Sequence, residues 1–417
     1  MKIGLLVIAT EILEGKIKDL NGHFLSEFLR SLHLELHTSM TVRDQLSEIQ
    51  SSLHYLNQIC DVLIVSGGLG PTEDDLTKLA LANFLNKEIL YSNSAQRTAQ
   101  ENYSRLGKVF PGNDHPYSFL PKDFSALSNS TGFAPGLMIE HEKKLFLCAP
   151  GVPREFKSMI QDHFFPWIKK HSSTSWFMEN ITIRTKKIPE EKIFNEVDPH
   201  LWLQLSQFGD VSSLPFVMGV DIGVKIRAHS IEELESQKKE VLKLIQHSPV
   251  FPHVWSLGPK TLEGQIVSIA NQKKIKFGFA ESCTGGLCSH RITSVSGSSQ
   301  TFMGSIICYD ESVKENILGV SSEILNNHGV VSAQTAEAMA REVAIKLNTQ
   351  IGISTTGFAG PTGGTHENPT GTVFIGFSIR GKVSSERFHF LGDREIVKER
   401  FAQAALFRLL ELLEESD

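Results

Sequence analysis

Two stretches late in the chain carry residues that can act as a nucleophile and its base. "FAESCTGG" (Phe279 to Gly286) sets Ser282 beside Cys283 where an apolar strand hands over to an amphipathic helix marked by Leu287, Cys288, Ile292 and Val295. A side chain at such a junction projects near a helix N-terminus, whose unpaired N–H groups can stabilise an oxyanion; Gly285 and Gly286 clear space for a substrate above it. A serine there is inert unless a base takes its proton. "SIICYDESVKENILGV" offers one. With a strand to Tyr309 and a helix from about Ser312, Lys314 falls in the first helical turn, where the dipole lowers an ammonium pKa. The competing reading of Lys314 is a solvated (i, i+4) pair with Asp310. Cys283 is the competing nucleophile, because a helix N-terminus also lowers a thiol pKa. No histidine stands at a telling spacing from it, although His290 and His328 are available, and a free cysteine is often a small apolar filler.

"VSGGLGPTEDD" (Val65 to Asp75) follows a buried strand and opens a helix. Gly67, Gly68 and Gly70 let the backbone turn tightly and present amides to phosphate oxygens. Its spacing is neither that of a Walker loop nor that of a dinucleotide fingerprint. Glu73, Asp74 and Asp75 could hold a divalent cation that bridges phosphates, or simply complement a helix N-terminus, with Thr72 and Asp75 at capping-box-like spacing. "GFAGPTGG" supplies Gly360, Gly363 and Gly364 for a loop near a nucleotide, or for a plain connection. Arg394, just inside the last helix after Asp393, is either a bidentate phosphate donor or an exposed arginine.

These groups need scaffolds to hold them. At 417 residues the chain is too long for one ordinary core. In the first 90 residues, apolar runs of strand length ("KIGLLVI", "DVLIVSGG") alternate with helices such as "NGHFLSEFLRSLHL", for which Asn21 is a plausible cap. Strand and helix alternating in this way imply parallel strands with crossover helices, continuing through a hairpin around "IEHEKKLFLCAP" to a helix in "PREFKSMIQDHFFPWIKK". The polar "KKHSSTS" ends this block. "FVMGVDIGVKIRAH" then alternates, with Val220, Ile222, Val224 and Ile226 on one face of a half-exposed strand. The amphipathic "SIEELESQKKEVLKLIQ" completes a small two-layer module. After the turn "SLGPK", strands "IKFGFA", "MGSIICY", "IGISTTG" and "TVFIGFSI" interleave with helices. The expected architecture is therefore α/β, with domains at 1–170, 171–257 and 258–417, the middle one α+β. The formal charge of −6 argues against a nucleic-acid grip. No apolar stretch reaches a membrane span; the run after Lys2 is short and stopped by Glu11, which reads as a first strand rather than a signal peptide. Five cysteines without a C-x-x-C pair suit a reducing cytoplasm.

Several of these stretches resemble, in order, the motifs of the competence/damage-inducible CinA family: "TEILEGKIKDLNGHFLSEFL", "VSGGLGPTEDD", "NSTGFAPGLMIE", "APGVPREF", "FAESCTGG", "YDESVKENILGV", "HGVVS", "TTGFAGPTGGTHENPTGTV" and "GDREIVKERFAQAAL". The resemblance covers nearly the whole chain. It implies a three-layer first domain similar to molybdopterin-binding proteins, associated with metal-dependent hydrolysis of ADP-ribose to AMP and ribose 5-phosphate. Thr10, Glu11, Asn21, Gly67, Gly68, Gly70, Pro71 and Thr72 would lie near that nucleotide, with Asp74 and Asp75 at a divalent metal. The last domain is similar to nicotinamide-mononucleotide deamidase, which needs no cofactor. There the resemblance makes Ser282 the nucleophile and Lys314 its base. Tyr309 is expected to position the lysine or the ring, with Glu281, Cys283, Thr284, Gly285, Gly286, Gly360, Gly363, Gly364 and Arg394 about the substrate. Three positions depart from the family's pattern: Ala9 stands where a glycine is usual, Glu311 where asparagine is, and Asn368 where lysine is. The expectation is a cytoplasmic, homodimeric, bifunctional hydrolase of small nucleotides, without membrane or direct nucleic-acid contact. The alternatives are a non-catalytic nucleotide- or molybdopterin-binding protein serving competence or DNA repair, and a deamidase whose first domain is silent.

Overall fold

The computed structural model describes residues 1–171, 176–216, 218–258 and 260–415. Most of the polar boundary expected at "KKHSSTS" lies outside the described residues, as do Pro259 of "SLGPK" and Val217 of "FVMGV". The chain forms two compact units, 1–179 with 227–234, and 180–226 with 235–417.

The first unit is built on a six-stranded sheet. Its strands are β1 (Ile3–Ile8), β2 (Leu36–Val42), β3 (Val62–Ser66), and, after the small pair β4 (Ile89–Tyr91) and β5 (Phe119–Pro121), β6 (Ser125–Leu127), β7 (Gly136–His141) and β8 (Lys144–Ala149). The order is β2-β1-β3-β8-β7-β6, with β2, β1, β3 and β8 parallel and the last two joints antiparallel. Successive side chains leave opposite faces of a strand, so the continuous apolar run of β1 serves two cores at once. Leu6 and Ile8 join Leu53, Leu56 and Leu81 on one face. Ile3, Leu5 and Val7 join Leu25, Leu29, Phe156 and Phe164 on the other. Three layers result, as expected. The cap of the helix Leu20–Ser31 is Asp19, which accepts from the amides of Asn21 and Gly22, and not Asn21 itself. The acids 73–75 do not open a helix either, because the next helix starts only at Thr77.

The second unit holds two sheets. Strands β9 (Phe177–Thr185), β10 (Gly209–Phe216), β11 (Gly219–Ala228) and β12 (Val254–Leu257) run in the order β10-β11-β9-β12, and Val220, Ile222, Val224 and Ile226 are all fully buried. This middle module shares a core with the terminal helix: the Trp255 ring meets Phe407 edge-on, and Phe216 stacks on Phe407. The other sheet comprises β13 (Phe277–Glu281), β14 (Phe302–Ile307), β15 (Ile351–Gly357), β16 (Thr372–Ile379) and β17 (Lys382–His389), ordered β14-β13-β15-β16-β17. The first three strands are parallel, and β16 and β17 are antiparallel. The helix Ala333–Lys346 covers one face. The helices Leu262–Lys273 and Arg394–Glu415 cover the other, over Phe277, Phe279, Ile351 and Ile353. The terminal helix is apolar around most of its circumference because its middle is enclosed: Phe401, Ala405, Leu406 and Leu409 are fully buried. Among the described residues no helix is long and apolar enough to cross a membrane. Deleting the Phe401 ring leaves a cavity under the sheet, so Phe401→Ala is expected to cost about 3–5 kcal/mol in chemical denaturation followed on the second unit.

Candidate active site

Parallel strands gather loops at their carboxyl ends, and the chemistry-bearing residues converge there. Ser282 follows β13, Cys308 and Tyr309 follow β14, and Thr355 to Gly357 end β15.

Glu281 controls the turn. It is fully buried, and its Oε2 accepts from Thr284 Oγ1 (2.8 Å), Gly286 N (3.0 Å) and Cys288 N (3.1 Å). Its Oε1 accepts from Ser289 N (2.9 Å) and from the Ser289 hydroxyl. The carboxylate thus takes the amides at the start of the helix Leu287–Thr293. That corrects two expectations: Glu281 does not touch the substrate space, and the helix N-terminus is not free to hold an oxyanion. The remaining donors are fewer. Ser282 N donates to Thr355 O (3.0 Å) and Gly285 N to Ser282 O (3.1 Å). The amide of Cys283 finds no acceptor among the described residues, and Cys283 lines the cavity, so it is the oxyanion donor the turn can offer.

Lys314 begins a π-helical turn, Lys314–Leu318, a local irregularity that often marks function. Its side chain is 2% exposed and Ser282 is 7% exposed. Lys314 Nζ donates to Ser282 Oγ (3.0 Å), Cys308 O (2.9 Å) and Tyr309 O (3.1 Å). Burial holds its pKa below the ordinary ammonium range, against an upward pull from the Cys308 and Cys283 thiols and from Asp310 and Glu311. The main cause is desolvation, where the sequence had suggested the helix dipole. When Lys314 is neutral, two N–H groups stay on the carbonyls and the lone pair faces Ser282, whose O–H then donates to it. The solvated pair with Asp310 does not form, because Asp310 caps Ser312 N instead (2.9 Å). Burial pushes the Cys283 thiol up to about 12 and the Cys308 thiol up to about 11, so neither supplies a thiolate near neutral pH.

A cavity of about 220 Å³ opens over this dyad. Ser282, Cys283, Tyr309, Lys314, Gly360 and Arg394 line it, whereas Thr284, Gly285, Gly286, Gly363 and Gly364 do not. His290 and His328 are also absent from the lining. Arg394 donates to Gly360 O (2.6 Å) and Tyr309 Oη (2.9 Å), and Tyr309 is 61% exposed. Sequence reasoning missed Val330, Val331, Thr356, Phe358 and Thr362 in the wall, and Thr355, whose hydroxyl meets Thr284 Oγ1 (2.8 Å) beneath the turn. The polar "STTG" closing an otherwise apolar strand was the available signal. Of the departures, Glu311 is exposed, and Asn368 accepts from Arg387 Nε (3.2 Å) in the hairpin between β15 and β16.

The first unit has its own cavity, of about 530 Å³, between the ends of β1 and β3 and the loop after β8. Glu11, Asn21, Gly67, Gly68, Gly70 and Asp75 line it, joined by Tyr117, Phe133 and Glu155, which the sequence did not single out. Thr10, Pro71, Thr72 and Asp74 stand outside the lining. Asn21 Nδ2 donates to Ser66 Oγ and Gly151 O (both 2.8 Å), and its buried Oδ1 has no partner among the described residues. Gly67 must be glycine: φ is +101° and a Cβ would lie 2.3 Å from Ile8 O. Ala9, by contrast, is extended (φ −165°), so its backbone needs no glycine and its methyl simply joins the wall. Asp75 accepts from Gly70 N (2.7 Å), Thr72 N (2.9 Å) and the Thr72 hydroxyl, which fixes the loop. Among the described residues no three His, Cys, Asp or Glu side chains converge as metal ligands; Asp75 lines the cavity and Asp74 does not.

Both domains have known counterparts. The family model for the CinA C-terminal domain matches residues 259–413, and one described as a probable molybdopterin binding domain matches 4–170. A protein named competence-damage inducible in Clostridium acetobutylicum is 30% identical over 97% of this chain and 98% of its own. One of the same name in Caldicellulosiruptor saccharolyticus is 32% identical, over the same shares. A crystal structure of a CinA superfamily protein from Enterobacter cloacae, 32% identical, covers 36% of this chain and 90% of its own, with a TM-score of 0.36.

Because an amide at position 281 would turn an N–H₂ group toward N–H donors, Glu281→Gln is expected to destabilise the second unit by about 2–4 kcal/mol. Denaturant titration measures this; a change under about 0.5 kcal/mol would show that the turn does not need the carboxylate.

Proposed function

The chain belongs to the CinA family of competence-damage inducible proteins, and on that premise we propose that its last domain hydrolyses the carboxamide of nicotinamide mononucleotide to nicotinate mononucleotide and ammonia. The observation that carries this reading is the 3.0 Å bond between two buried groups, Lys314 Nζ and Ser282 Oγ. Ser282 Oγ bonds to the carboxamide carbon while its proton passes to neutral Lys314. The carbonyl oxygen, now an oxyanion, takes the amide of Cys283. Lys314 returns the proton to the departing nitrogen, the C–N bond breaks, and ammonia leaves an acyl ester on Ser282. Water, deprotonated by the same amine, adds to the ester carbon; the C–Oγ bond breaks, restoring Ser282 and releasing the carboxylate. No step requires a metal or a cofactor.

For the first domain, the family reading is hydrolysis of ADP-ribose to AMP and ribose 5-phosphate. The size of the cavity, its glycine turn and the unpartnered Asn21 Oδ1 support a nucleotide there. One observation favours binding without hydrolysis, namely that Asp75 is committed to the loop. Saturable ADP-ribose binding by calorimetry is expected, and AMP formed on adding a divalent cation would carry the hydrolytic reading.

Purified protein is expected to release ammonia from nicotinamide mononucleotide. Ser282→Ala and Lys314→Met should each lower kcat by about a thousandfold or more, and Cys283→Ala by less than about tenfold. Turnover that survives Ser282→Ala would refute the nucleophile assignment. Since only neutral Lys314 accepts the proton, kcat/KM should fall as pH drops through the lowered lysine pKa and level off above it, in a pH–rate profile.

A further inference from the structure

Two aromatic side chains, Tyr117 and Phe133, stand in the wall of the first unit's cavity, and they differ in what they offer. Tyr117 is only 5% exposed, and its ring is packed edge-on against His115 (4.6 Å between centroids) and Tyr103 (6.5 Å). Phe133 is 37% exposed. Tyr103 backs its ring at 4.5 Å between centroids, which leaves the rest of the ring open to the cavity. A flat apolar ring placed on that opening would remove surface from water and add an aromatic contact.

The loop that presents Phe133 is fixed in advance. Phe133 O accepts from Nδ2 of the fully buried Asn102 (3.2 Å), whose Oδ1 accepts from Asn129 N (3.0 Å). Asn129, also fully buried, donates from Nδ2 to Ala134 O (3.0 Å), and its Oδ1 accepts from Thr131 N (3.1 Å). The backbone is thus tied on both sides of the ring, so a ligand stacking there would pay little ordering entropy. In the same wall Asn21, 5% exposed, carries the Oδ1 that has no partner among the described residues. That oxygen is an acceptor for a hydroxyl or amino group of the same ligand.

We propose that Phe133 is a stacking shelf for a planar nitrogen heterocycle, the base of a purine nucleotide bound in the first domain, and that Asn21 Oδ1 accepts from that ligand. The choice of a purine rests on the nucleotide reading of this domain, whereas the open ring does not. A base stacked on an aromatic side chain is worth about 1–3 kcal/mol, so Phe133 would decide between a nucleotide and a bare sugar phosphate.

Calorimetric titration with AMP and with ribose 5-phosphate separates the base from the rest of the ligand. Phe133→Ala should weaken AMP binding by about tenfold or more and ribose 5-phosphate by less than about twofold, and Phe133→Tyr should restore AMP binding. In Phe133→Trp, AMP should quench tryptophan fluorescence beyond the quench seen in the wild type, and ribose 5-phosphate should not. Unchanged AMP binding in Phe133→Ala, no recovery in Phe133→Tyr, or an equal loss of ribose 5-phosphate overturns the shelf. If the wild type binds neither AMP nor ADP-ribose, the nucleotide reading fails on its own. Titration with neopterin, a planar pterin, then decides: binding weakened about tenfold by Phe133→Ala supports the shelf, and absent or equal binding overturns it.

Discussion

An ammonium taken out of water must find acceptors or lose its proton, and the last domain is arranged around that constraint at Lys314. Its partners are two backbone carbonyls and one serine hydroxyl, with no carboxylate among them. A buried lysine paired to an acid would stay charged and useless as a base. Here the carbonyls orient the nitrogen, and burial favours the form whose lone pair faces Ser282. The ends of β13 and β14 and the π-helical turn must all be in register for those three contacts to coexist, so the position of the base depends on the sheet.

A negative charge stands one residue before Ser282 and is turned inward. Glu281 belongs to the strand, and its carboxylate gathers amides from the helix after Ser282. This ties the turn to the strand and keeps the Glu281 carboxylate out of the cavity, where Cys283 is in the wall. Arg394 is then the cation in its wall that burial does not discharge.

In the first domain similar chemistry of loop and carboxylate has a different outcome. Asp75 is drawn into its own glycine turn, and the space above is walled by Tyr117, Phe133 and an Asn21 amide whose oxygen lacks a partner among the described residues. The carboxylate of Asp75 supplies the turn's internal bonds.

Much of this was legible in the residues. Period-two and period-3.6 patterning located the strands and helices, because burial of one face or both is written into residue order. Thus the run "KIGLLVI" told of a strand enclosed on both sides, and "VDIGVKIR" of one enclosed on a single side. The ordered motifs singled out Ser282 and Lys314 although they lie 32 positions apart. Direction and partner were not legible. Glu281 and Ser282 are neighbours in sequence, yet one points into the core and the other into the cavity, since consecutive residues leaving a strand face opposite ways. Likewise Asp19, and not Asn21, caps the helix Leu20–Ser31, while Asn21 lines the cavity as expected. Sequence determined which groups are present and which elements carry them. Only the tertiary structure decided which are dehydrated and what each one faces, because pKa and hydrogen-bond partner depend on neighbours brought together by the fold.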